Sequence, residues 1–446
     1  MIKFILNDTL ISTDQPPGMV LLDFIRYHQH LKGTKIGCRE GDCGACTILV
    51  GKLNDNNVIQ YESMTSCLMP LGNVEGKHII SIEGINFPDK LNPVQEAMSE
   101  AGATQCGFCT PGFVMSLAGF CLNETEHSEQ KAIAAIDGNI CRCTGYKSIE
   151  RAAKTISNQL QTQKRETFFP AYLRSIPERL KQLANNSQLQ TPNSKLSLGG
   201  GTDLYVQRHE EMVHSEINFL FDDQHKKGIR REGDKCILGA SVTVTDLKND
   251  PLINEIFPDF SSYAKLVSST PIRNMATIAG NFVNASPIGD FTIFFLALNA
   301  HLSLSNKREV ALRDFYKGYK QLNKSEKEQI ESIWFNIPAT KKFSFEKVSK
   351  RTHLDIASVN SALLLEMDGD IINSAGLSAG GVGPVPMFLK RSSAFLEGKE
   401  LSMSLVEELI AIARTEISPI SDARGSKEYK SLLLGQLIKA HFISFS

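Results

Sequence analysis

The chain has 446 residues, of which 42% are hydrophobic and 22% are charged, and its formal net charge is -1. This length and composition fit two to four globular domains with buried cores. A nearly neutral chain lacks the basic surplus that nucleic acids and anionic membranes attract, so we expect neither as a partner.

Apolar stretches in the chain predict neither a secretion signal nor a membrane span. The first residues, MIKFILNDTLIST, reach Asn7 and Asp8 before any long apolar run, which is too short and too polar for a signal peptide. The stretch FTIFFLALNA at 291–300 is too short to cross a bilayer and predicts a buried core helix. We therefore expect a cytoplasmic protein.

Residues 1–84 have the pattern of a small sheet crossed by one helix. VLLDFIRYHQ at 20–29 has helical spacing, whereas the other apolar segments alternate as strands do. The predicted strand segments are IKFILND (2–8), TLIST (9–13), CTILVGKL (46–53), VIQYESM (58–64) and HIISIEG (78–84). This order predicts a β-grasp domain with three cysteines in a long loop before a strand.

From residue 85 to 156 the apolar period becomes helical. Asn-Pro at 92–93 and Thr-Pro at 110–111 each predict a helix N-cap followed by proline in the first turn. SEQKAIAAI at 128–136 predicts a third helix, which Asp-Gly-Asn at 137–139 ends. We therefore predict a compact helical-bundle domain.

The polar run SNQLQTQKRET at 157–167 lacks apolar periodicity and is our predicted linker. Beyond it, mixed strand and helix patterns predict an α+β domain over 168–338 and a smaller C-terminal α+β domain over 342–446. The predicted fold class is thus a multidomain α+β protein.

Nine of the ten cysteines precede residue 144, so their chemistry belongs to the first third of the chain. In a reducing compartment, clustered cysteines more often bind metals than form disulfides. The first set has the spacing C-x4-C-x2-C, then twenty residues and a fourth cysteine: Cys38, Cys43, Cys46 and Cys67. This is the plant-type ferredoxin spacing for a [2Fe–2S] cluster. A zinc site is the alternative, although zinc sites usually pair two C-x2-C units.

The second set has a C-x2-C pair, then thirty-one residues and a C-x-C pair: Cys106, Cys109, Cys141 and Cys143. The first pair precedes a predicted helix start, where the positive end of the helix dipole favours thiolates. Alone, a C-x2-C could be a thioredoxin-like redox pair or half of a zinc site. With a distant C-x-C beside a ferredoxin domain, it favours a second cluster. Cys121 and Cys236 fall in helical and strand-like runs and predict buried, small apolar side chains.

Two glycine-containing loops could approach a nucleotide, although no G-x-G-x-x-G of the Rossmann type stands between a strand and a helix. The predicted strand at 196–198 ends in three glycines at 199–201, and consecutive N–H groups in such a run can form an anion-binding nest. Ala-Gly-Asn at 279–281 opens a second polar loop whose amide and hydroxyl groups suit phosphate and ribityl oxygens. Many glycine turns bind nothing, so these loops alone do not establish a ligand.

Several motifs together resemble the molybdenum hydroxylase family. The N-terminal domain is similar to that family's ferredoxin domain, and QCGFCTPGFVMS and NICRCTGY resemble its second [2Fe–2S] domain. LSLGGGTDL, TPIRNMATIAGNFVNASPIGD, KVSKRTHLDIASVN and GGVGPVPM resemble its FAD domain and the domain that follows. The resemblance covers essentially the whole chain.

The resemblance implies a role for each of these motifs. Cys38, Cys43, Cys46 and Cys67 would hold the cluster nearer the flavin, and the second cysteine set the cluster nearer a molybdenum centre. The FAD-binding residues implied are Leu198, Gly199, Gly200, Gly201, Thr202, Asp203, Leu204, Thr277, Gly280, Asn281, Asn284, Ser286 and Asp290.

Three further residues are compared with the family. The resemblance places Lys347 near the flavin ring, where a cation would favour the anionic reduced flavin, whereas a solvated surface lysine is the alternative. It places Gln105 near the pterin, against the alternative of a structural glutamine. The chain departs from animal members at Val267, where they have a phenylalanine against the flavin.

The family comparison implies an electron path from a substrate through molybdenum, the two clusters and FAD to NAD. A flavin must stand between the clusters and NAD, because clusters carry single electrons whereas NAD accepts a hydride. Molybdopterin would belong to a larger partner subunit, in an assembly of such heterodimers. The substrate class stays open between purines, aldehydes and N-heterocycles. A stand-alone NADH-dependent reductase that feeds the clusters is an alternative of another class.

Overall fold

The computed structural model describes residues 1–54, 56–123, 126–184, 196–338, 341–351 and 353–445. The chain forms two compact units, Met1–Phe221 with Ser269–Met275 and Asp222–Ser268 with Ala276–Ser446. Among the described helices, none combines the length and apolar composition needed to cross a bilayer.

The first unit begins with a mixed five-stranded sheet. Its strands are β1 (Ile2–Leu6), β2 (Thr9–Thr13), β3 (Thr47–Leu53), β4 (Ile59–Thr65) and β5 (His78–Ile80). Their order is β2-β1-β5-β3-β4, with β1 parallel to β5 and the other neighbours antiparallel. The predicted helix begins as α1 (Leu21–Asp23) and continues as a π-helix at Phe24–His28, whose Phe24 ring packs on Phe4 of β1. The predicted β-grasp architecture is therefore confirmed.

Four helices follow, the three predicted ones and an additional one, α5. They are α2 (Pro93–Glu100), α3 (Thr110–Asn123), α4 (Glu129–Ala135) and α5 (Lys147–Thr162). The predicted cap of α2 is present, because the Asn92 side chain accepts from the Gln95 N–H and the Gln95 side chain accepts from the Asn92 N–H. Helix α3 begins at Thr110 itself, so Thr110 lies inside the helix rather than at the predicted cap.

The run at 157–167, predicted as a linker without apolar periodicity, is helical over most of its length. Helix α5 continues to Thr162, and a 3-10 helix at Arg165–Phe168 follows. Leu160 is buried because it completes the apolar face that Ile149, Ala152 and Ile156 begin. Taken alone, the run from 157 to 167 contains only the last member of that face, and its periodicity was therefore invisible.

The first unit continues through short elements. They are α6 (Ile176–Ala184), β6 (Leu196–Leu198), α7 (Leu204–Gln207), α8 (His209–His214) and β7 (Ile217–Phe219). The strand predicted at 196–198 is confirmed as β6, which pairs in parallel with β7. The glycine run therefore begins directly after the last residue of a strand.

The second unit has a five-stranded sheet and a four-stranded sheet, both covered by helices, and a two-stranded sheet. It starts with β8 (Ile229–Glu232), β9 (Lys235–Gly239), α9 (Val244–Asn249), α10 (Pro251–Ile256) and α11 (Phe260–Lys265). The chain then re-enters the first unit as the short helix α12 (Thr270–Arg273). The elements that follow are α13 (Ile278–Asn284), α14 (Asp290–Ala297), β10 (His301–Leu304), β11 (Glu309–Ala311), β12 (Tyr316–Gly318), β13 (Gln321–Leu322), β14 (Ile330–Asn336), β15 (Lys341–Val348), β16 (Val359–Asp368), β17 (Ile371–Gly380), β18 (Met387–Phe388), α15 (Lys390–Leu396), α16 (Leu405–Arg414) and α17 (Lys427–Phe445).

The five-stranded sheet of this unit has the order β11-β10-β14-β9-β8, and the four-stranded sheet has the order β15-β16-β17-β18. Helix α14 is buried over its length from Phe291 to Ala297, which confirms the core helix predicted there. Helix α17 packs on the four-stranded sheet through Leu434 and Ile438. Both C-terminal regions therefore contain strands and helices, as predicted.

Candidate functional site

The hairpin of β3 and β4 brings Cys46 and Cys67 together. Thr47 of β3 pairs with Thr65 of β4, so the residues just beyond this pair, Cys46 and Ser66, face each other. The Ser66 N–H and hydroxyl both donate to the Cys46 carbonyl, at 3.3 and 2.7 Å. The two thiols are buried and share a hydrogen bond, which lowers the pKa of Cys46 and raises that of Cys67.

The curled loop before β3 supplies a second thiol pair. The N–H groups of Glu40 and Cys43 donate to Cys38 Sγ at 3.3 and 3.4 Å, and the Cys38 N–H donates to Cys43 Sγ at 3.4 Å. The Cys43 thiol and these N–H groups lower the pKa of Cys38 to about 5. That pKa makes Cys38 a ready thiolate ligand.

The first cysteine set therefore consists of two thiol pairs, Cys38 with Cys43 and Cys46 with Cys67. Each iron of a [2Fe–2S] cluster takes two protein ligands, so two pairs of thiols fit this cluster. A zinc ion needs four ligands around one point. Among the described residues, no group of three or more His, Cys, Asp or Glu side chains converges on a position for a single metal ion.

The second set is also arranged as two pairs, at the starts of two helices. Cys106 and Cys109 precede α3, and Cys141 and Cys143 precede α5. Cys143 Sγ lies 3.6 Å from Cys106 Sγ, and Cys109 shares a hydrogen bond with Cys141. Burial and this bond raise the pKa of Cys109 to about 12. Although burial opposes the shift, hydrogen bonds from Thr144 lower the pKa of Cys141.

Two residues of the second loop position Cys141 and were not singled out from the sequence. The Cys141 N–H donates to Tyr146 Oη at 3.0 Å, and the Thr144 N–H donates to Cys141 Sγ at 3.4 Å. Tyr146 has a φ of 69°, a left-handed conformation that is uncommon for a non-glycine residue and that turns the chain into α5. The cysteine spacing indicated ligands but not these supports.

The two sets differ in exposure. Cys46 and Cys67 are buried, whereas Cys106 and Cys143 are exposed. The surface beside these two exposed thiols includes Phe108, which is 47% exposed. Gln105, the predicted pterin neighbour, is also exposed here. The second cluster site therefore opens to the protein surface within its unit.

The first glycine loop lies in the first unit, between β6 and α7. A Cβ on Gly200 would stand 1.8 Å from the Met275 carbonyl oxygen, so only glycine fits there. Gly201 has a φ of 87°, and Asn73 Nδ2 donates to the Gly199 carbonyl at 2.9 Å. Thr202, Asp203 and Leu204 follow, partly exposed, and Leu198 is buried in β6.

The second loop lies in the second unit, at the start of α13. Thr277 is the N-cap of α13, and its Oγ1 accepts from the Gly280 N–H at 3.2 Å. Asn281 Oδ1 accepts from the Thr292 N–H and hydroxyl at 3.1 and 2.9 Å. Asn284 accepts a bond from Lys320 Nζ at 2.8 Å. The predicted second loop is therefore helical in part, because Gly280, Asn281 and Asn284 lie within α13, where neighbouring side chains orient the two amides.

Lys347 is held beside this loop by a network that the sequence did not predict. Its Nζ lies 2.8 Å from Asp290 Oδ2 and 2.8 Å from the Leu266 carbonyl oxygen, and its side chain is 2% exposed. The alternative of a solvated surface lysine is therefore wrong. Asn360 Nδ2 donates to Asp290 Oδ1 at 2.6 Å, so both oxygens of Asp290 are engaged.

The remaining predicted residues have simple surroundings. Cys121 and Cys236 are both buried in apolar clusters, as expected, and burial raises their pKa values. Val267 is buried in the core of the second unit, and Ser286 precedes α14 with its Oγ accepting from the Ile288 N–H at 3.4 Å.

Four family models match the chain along its length. Residues 4–72 match the 2Fe-2S iron-sulfur cluster binding domain, and residues 81–154 match the [2Fe-2S] binding domain. Residues 171–339 match the FAD binding domain in molybdopterin dehydrogenase, and residues 344–444 match the CO dehydrogenase flavoprotein C-terminal domain. Two cluster-binding domains and a flavin-binding domain are therefore present.

Curated relatives and solved structures agree with these models. Xanthine dehydrogenase from Emericella nidulans is 29% identical over 90% of this chain and 35% of its own length. Aldehyde oxidase 1 from Rattus norvegicus is 25% identical over 97% of this chain and 38% of its own length. Reconstituted CO dehydrogenase from Oligotropha carboxidovorans has a TM-score of 0.52 at 27% identity, covering 55% of this chain and 87% of that chain.

The chain thus spans little more than a third of the length of the curated relatives it matches. The domain order, the two sets of paired thiols and these relatives together identify a chain with two cluster-binding domains and a flavin-binding domain. It belongs to the molybdenum hydroxylase family, as an electron-transfer iron–sulfur and FAD component.

Proposed function

We propose that the chain is the electron-transfer subunit of a xanthine dehydrogenase. In this proposal, electrons from hypoxanthine or xanthine oxidation at a partner's molybdenum centre reach NAD through the two cluster sites and FAD of this chain. The observation that carries the proposal is the presence of two four-cysteine sets and a flavin domain on one chain. The xanthine dehydrogenase relatives favour the purine substrate.

Each part of the chain has a proposed role. Cys38, Cys43, Cys46 and Cys67 would hold the cluster nearer the flavin, and Cys106, Cys109, Cys141 and Cys143 the cluster nearer molybdenum. The glycine loop at 199–201 and the second loop around Asn281 would bind FAD. The buried Lys347, held by Asp290, would face the flavin ring. FAD supplies the conversion between one-electron and hydride transfer.

The domain boundaries belong to the proposal as well. We propose cluster domains over 1–84 and 85–156, a flavin domain over 168–338 and a C-terminal domain over 342–446. The two compact units of the fold do not follow these limits, because residues 168–221 belong to the unit that contains both cluster domains.

The proposal assigns molybdopterin to a larger partner subunit. Exposed Cys106 and Cys143 would bring the second cluster close to the partner's pterin, with Gln105 at the contact. Exposed aromatic and apolar side chains nearby, Phe108, Ile140 and Tyr146, fit a protein interface better than a solvated surface. We further propose a cytoplasmic assembly of such heterodimers.

A related molybdenum hydroxylase for aldehydes or N-heterocycles is the second candidate. The aldehyde oxidase relatives favour it, since they match nearly the whole chain. The two candidates share every feature of this chain, because the substrate pocket would lie in the partner. They differ only in which substrate the assembled enzyme oxidises.

The experiment compares the chain alone with the chain joined to its co-purifying partner. Alone, it should reduce artificial dyes with NADH and should not oxidise xanthine. With the partner, xanthine-to-NAD turnover should appear. Turnover of aldehydes or N-heterocycles but not xanthine would select the second candidate. NADH-dependent activity of the chain in cells grown without molybdenum would instead favour a stand-alone reductase.

A further inference from the structure

A short segment of the chain returns to the first unit from the second. The segment Ser269–Met275, which we call the brace, belongs to the first unit, whereas the residues before and after it belong to the second. It contains α12 and leads within two residues to Thr277, the start of the second predicted flavin loop. The brace is thus covalently continuous with that loop.

Asp137 binds the brace to the turn that precedes Cys141. Its Oδ1 accepts from the Thr270 N–H at 2.8 Å, and its Oδ2 accepts from the Thr270 hydroxyl at 3.0 Å and from Arg273 Nη2 at 2.6 Å. One carboxylate therefore holds both ends of α12. The sequence indicated this Asp-Gly-Asn turn only as a helix end.

The same turn is bonded to the loop of the first cysteine set. Asn139 Nδ2 donates to the Gly44 carbonyl at 3.1 Å, and the Ile140 N–H donates to the Cys43 carbonyl at 3.0 Å. Ile140 is followed by Cys141, a ligand of the second set. One hydrogen bond therefore joins the backbones of the two cysteine sets.

The brace also contacts the first cysteine loop and the glycine loop. Ile272 Cδ1 lies 2.6 Å from the position of a Cβ on Gly41, so the brace closes over the loop between Cys38 and Cys43. Met275 approaches Gly200 so closely that only glycine fits. The brace thus touches both cysteine-bearing domains and the first predicted flavin loop.

We propose that Asp137 and Arg273 are a positioning pair for electron transfer between the flavin and the two clusters. By fixing the brace, the pair holds both cysteine loops and the glycine loop in one rigid arrangement. Electron transfer by tunnelling is steeply dependent on separation, so loosening the brace slows it. This inference rests on the proposed electron-transfer function and adds the residues that set its geometry.

The exposure of the pair predicts which variant is more severe. Arg273 is 4% exposed and Asp137 is 28% exposed. Without Arg273, water can solvate the partly exposed carboxylate. Without the charge of Asp137, a buried guanidinium loses the carboxylate that it contacts at 2.6 Å, which is the costlier state. Asp137→Asn should therefore disturb the brace more than Arg273→Met.

The test measures the rate of electron transfer from flavin to clusters, counted per chain that holds both clusters and FAD (a loaded chain). The purified chain, with clusters and FAD bound, is reduced at the flavin by a laser flash with EDTA as electron donor, and separately by NADH. Cluster bleaching is then followed against flavin absorbance. In Asp137→Asn, the flavin-to-cluster rate should fall by on the order of tenfold, with a smaller fall in Arg273→Met. Arg273→Lys, which keeps the charge, should recover part of the rate.

Arg179→Met is the matched control, because Arg179 forms an ion pair of the same 2.6 Å length with Asp8 in the same unit. It should leave the rate unchanged. An unchanged rate per loaded chain in all three brace variants would overturn the inference, even if cluster content or melting temperature fell, because the pair would then be only structural. If NADH fails to reduce the native flavin but the flash succeeds, the NAD step of the proposed function fails and the brace is still tested.

Discussion

At the residue scale, the sulfur atoms of each cysteine set lie in pairs, and every pair joins residues from different parts of its loop or domain. Cys46 and Cys67 meet through a strand pair, and Cys106 and Cys143 meet across the starts of two helices. Replacing one member of a set should therefore disable that set alone.

Cys43→Ser and Cys109→Ser should each remove a different electron paramagnetic resonance signal, because each leaves one iron of its cluster with one thiolate instead of two. The buried, unpaired thiol of Cys121 provides the control: Cys121→Ala should keep both signals. Loss of the same signal in both ligand variants would contradict two separate clusters.

His441 predicts how acid affects the second unit. It is buried between Ser344 and Ser361, with its ring nitrogens 2.9 and 3.0 Å from their hydroxyl oxygens, and burial lowers its pKa to about 3. The unfolded state, with a pKa of about 6.5, binds a proton that the folded state excludes. Stability should therefore fall as pH drops below about 6.5, by up to about 1.4 kcal/mol per pH unit.

The variant His441→Gln removes this titration while keeping a polar side chain. Its melting temperature at neutral pH should be lower, but its decline between pH 6.5 and 4 should be shallower than that of the native chain. If the melting temperatures of the variant and the native chain fell equally between pH 6.5 and 4, His441 would not take up a proton on unfolding.

Spacing along the chain predicted the cysteine ligands, because ligands near in sequence leave a local pattern. The supporting residues left none. Asp137 and Arg273 are 136 positions apart, and Asp290 and Asn360 are 70 positions apart. Only the tertiary fold brings these residues together. In the sequence, Asp137 in a turn and Asn360 in a strand therefore gave no sign of a supporting role.

At the element scale, helix α5 carries the clearest correction. Its final turn uses Leu160 to complete an apolar face, so the helix is part of the domain core rather than a tether. Strands were easier to predict, since the apolar pattern of a strand such as β4 is complete within the strand itself. The change from α1 to a π-helix at Phe24 depends on packing, which local propensity does not report.

Leu160→Ala should destabilise the chain by about 2–5 kcal/mol, because it opens a cavity in a buried face. Asn158→Ala, at an exposed position of the same helix, should change stability by less than about 0.5 kcal/mol. Chemical denaturation with cluster absorbance as the probe measures both. Equal, negligible effects would restore the linker interpretation.

The two predicted flavin loops give a second test at this scale. Asp203→Ala and Asn281→Ala should each lower FAD content while both cluster signals persist, because they remove polar groups from loops that carry no cysteine ligand. Val206→Ala, at an exposed site in α7, is the control and should retain flavin. Normal FAD content in both loop variants would move the flavin site elsewhere.

At the scale of the whole molecule, the two compact units do not follow the predicted domain limits. Residues 168–221 and the brace join the unit of the cluster domains, although the FAD family model spans 171–339 without a break. Sequence patterns report local elements, and the return of Ser269–Met275 to the first unit depends on contacts that no local pattern encodes.

The central claim is that this one chain carries two [2Fe–2S] clusters and one FAD and works with a molybdenum centre held by a partner. The most direct measurement is the iron, acid-labile sulfide, zinc, molybdenum and FAD content of the chain purified without a partner. It should contain about four irons and four sulfides with one FAD per chain, without stoichiometric molybdenum. Zinc in place of iron, or stoichiometric molybdenum with xanthine oxidation by this chain alone, would contradict the account.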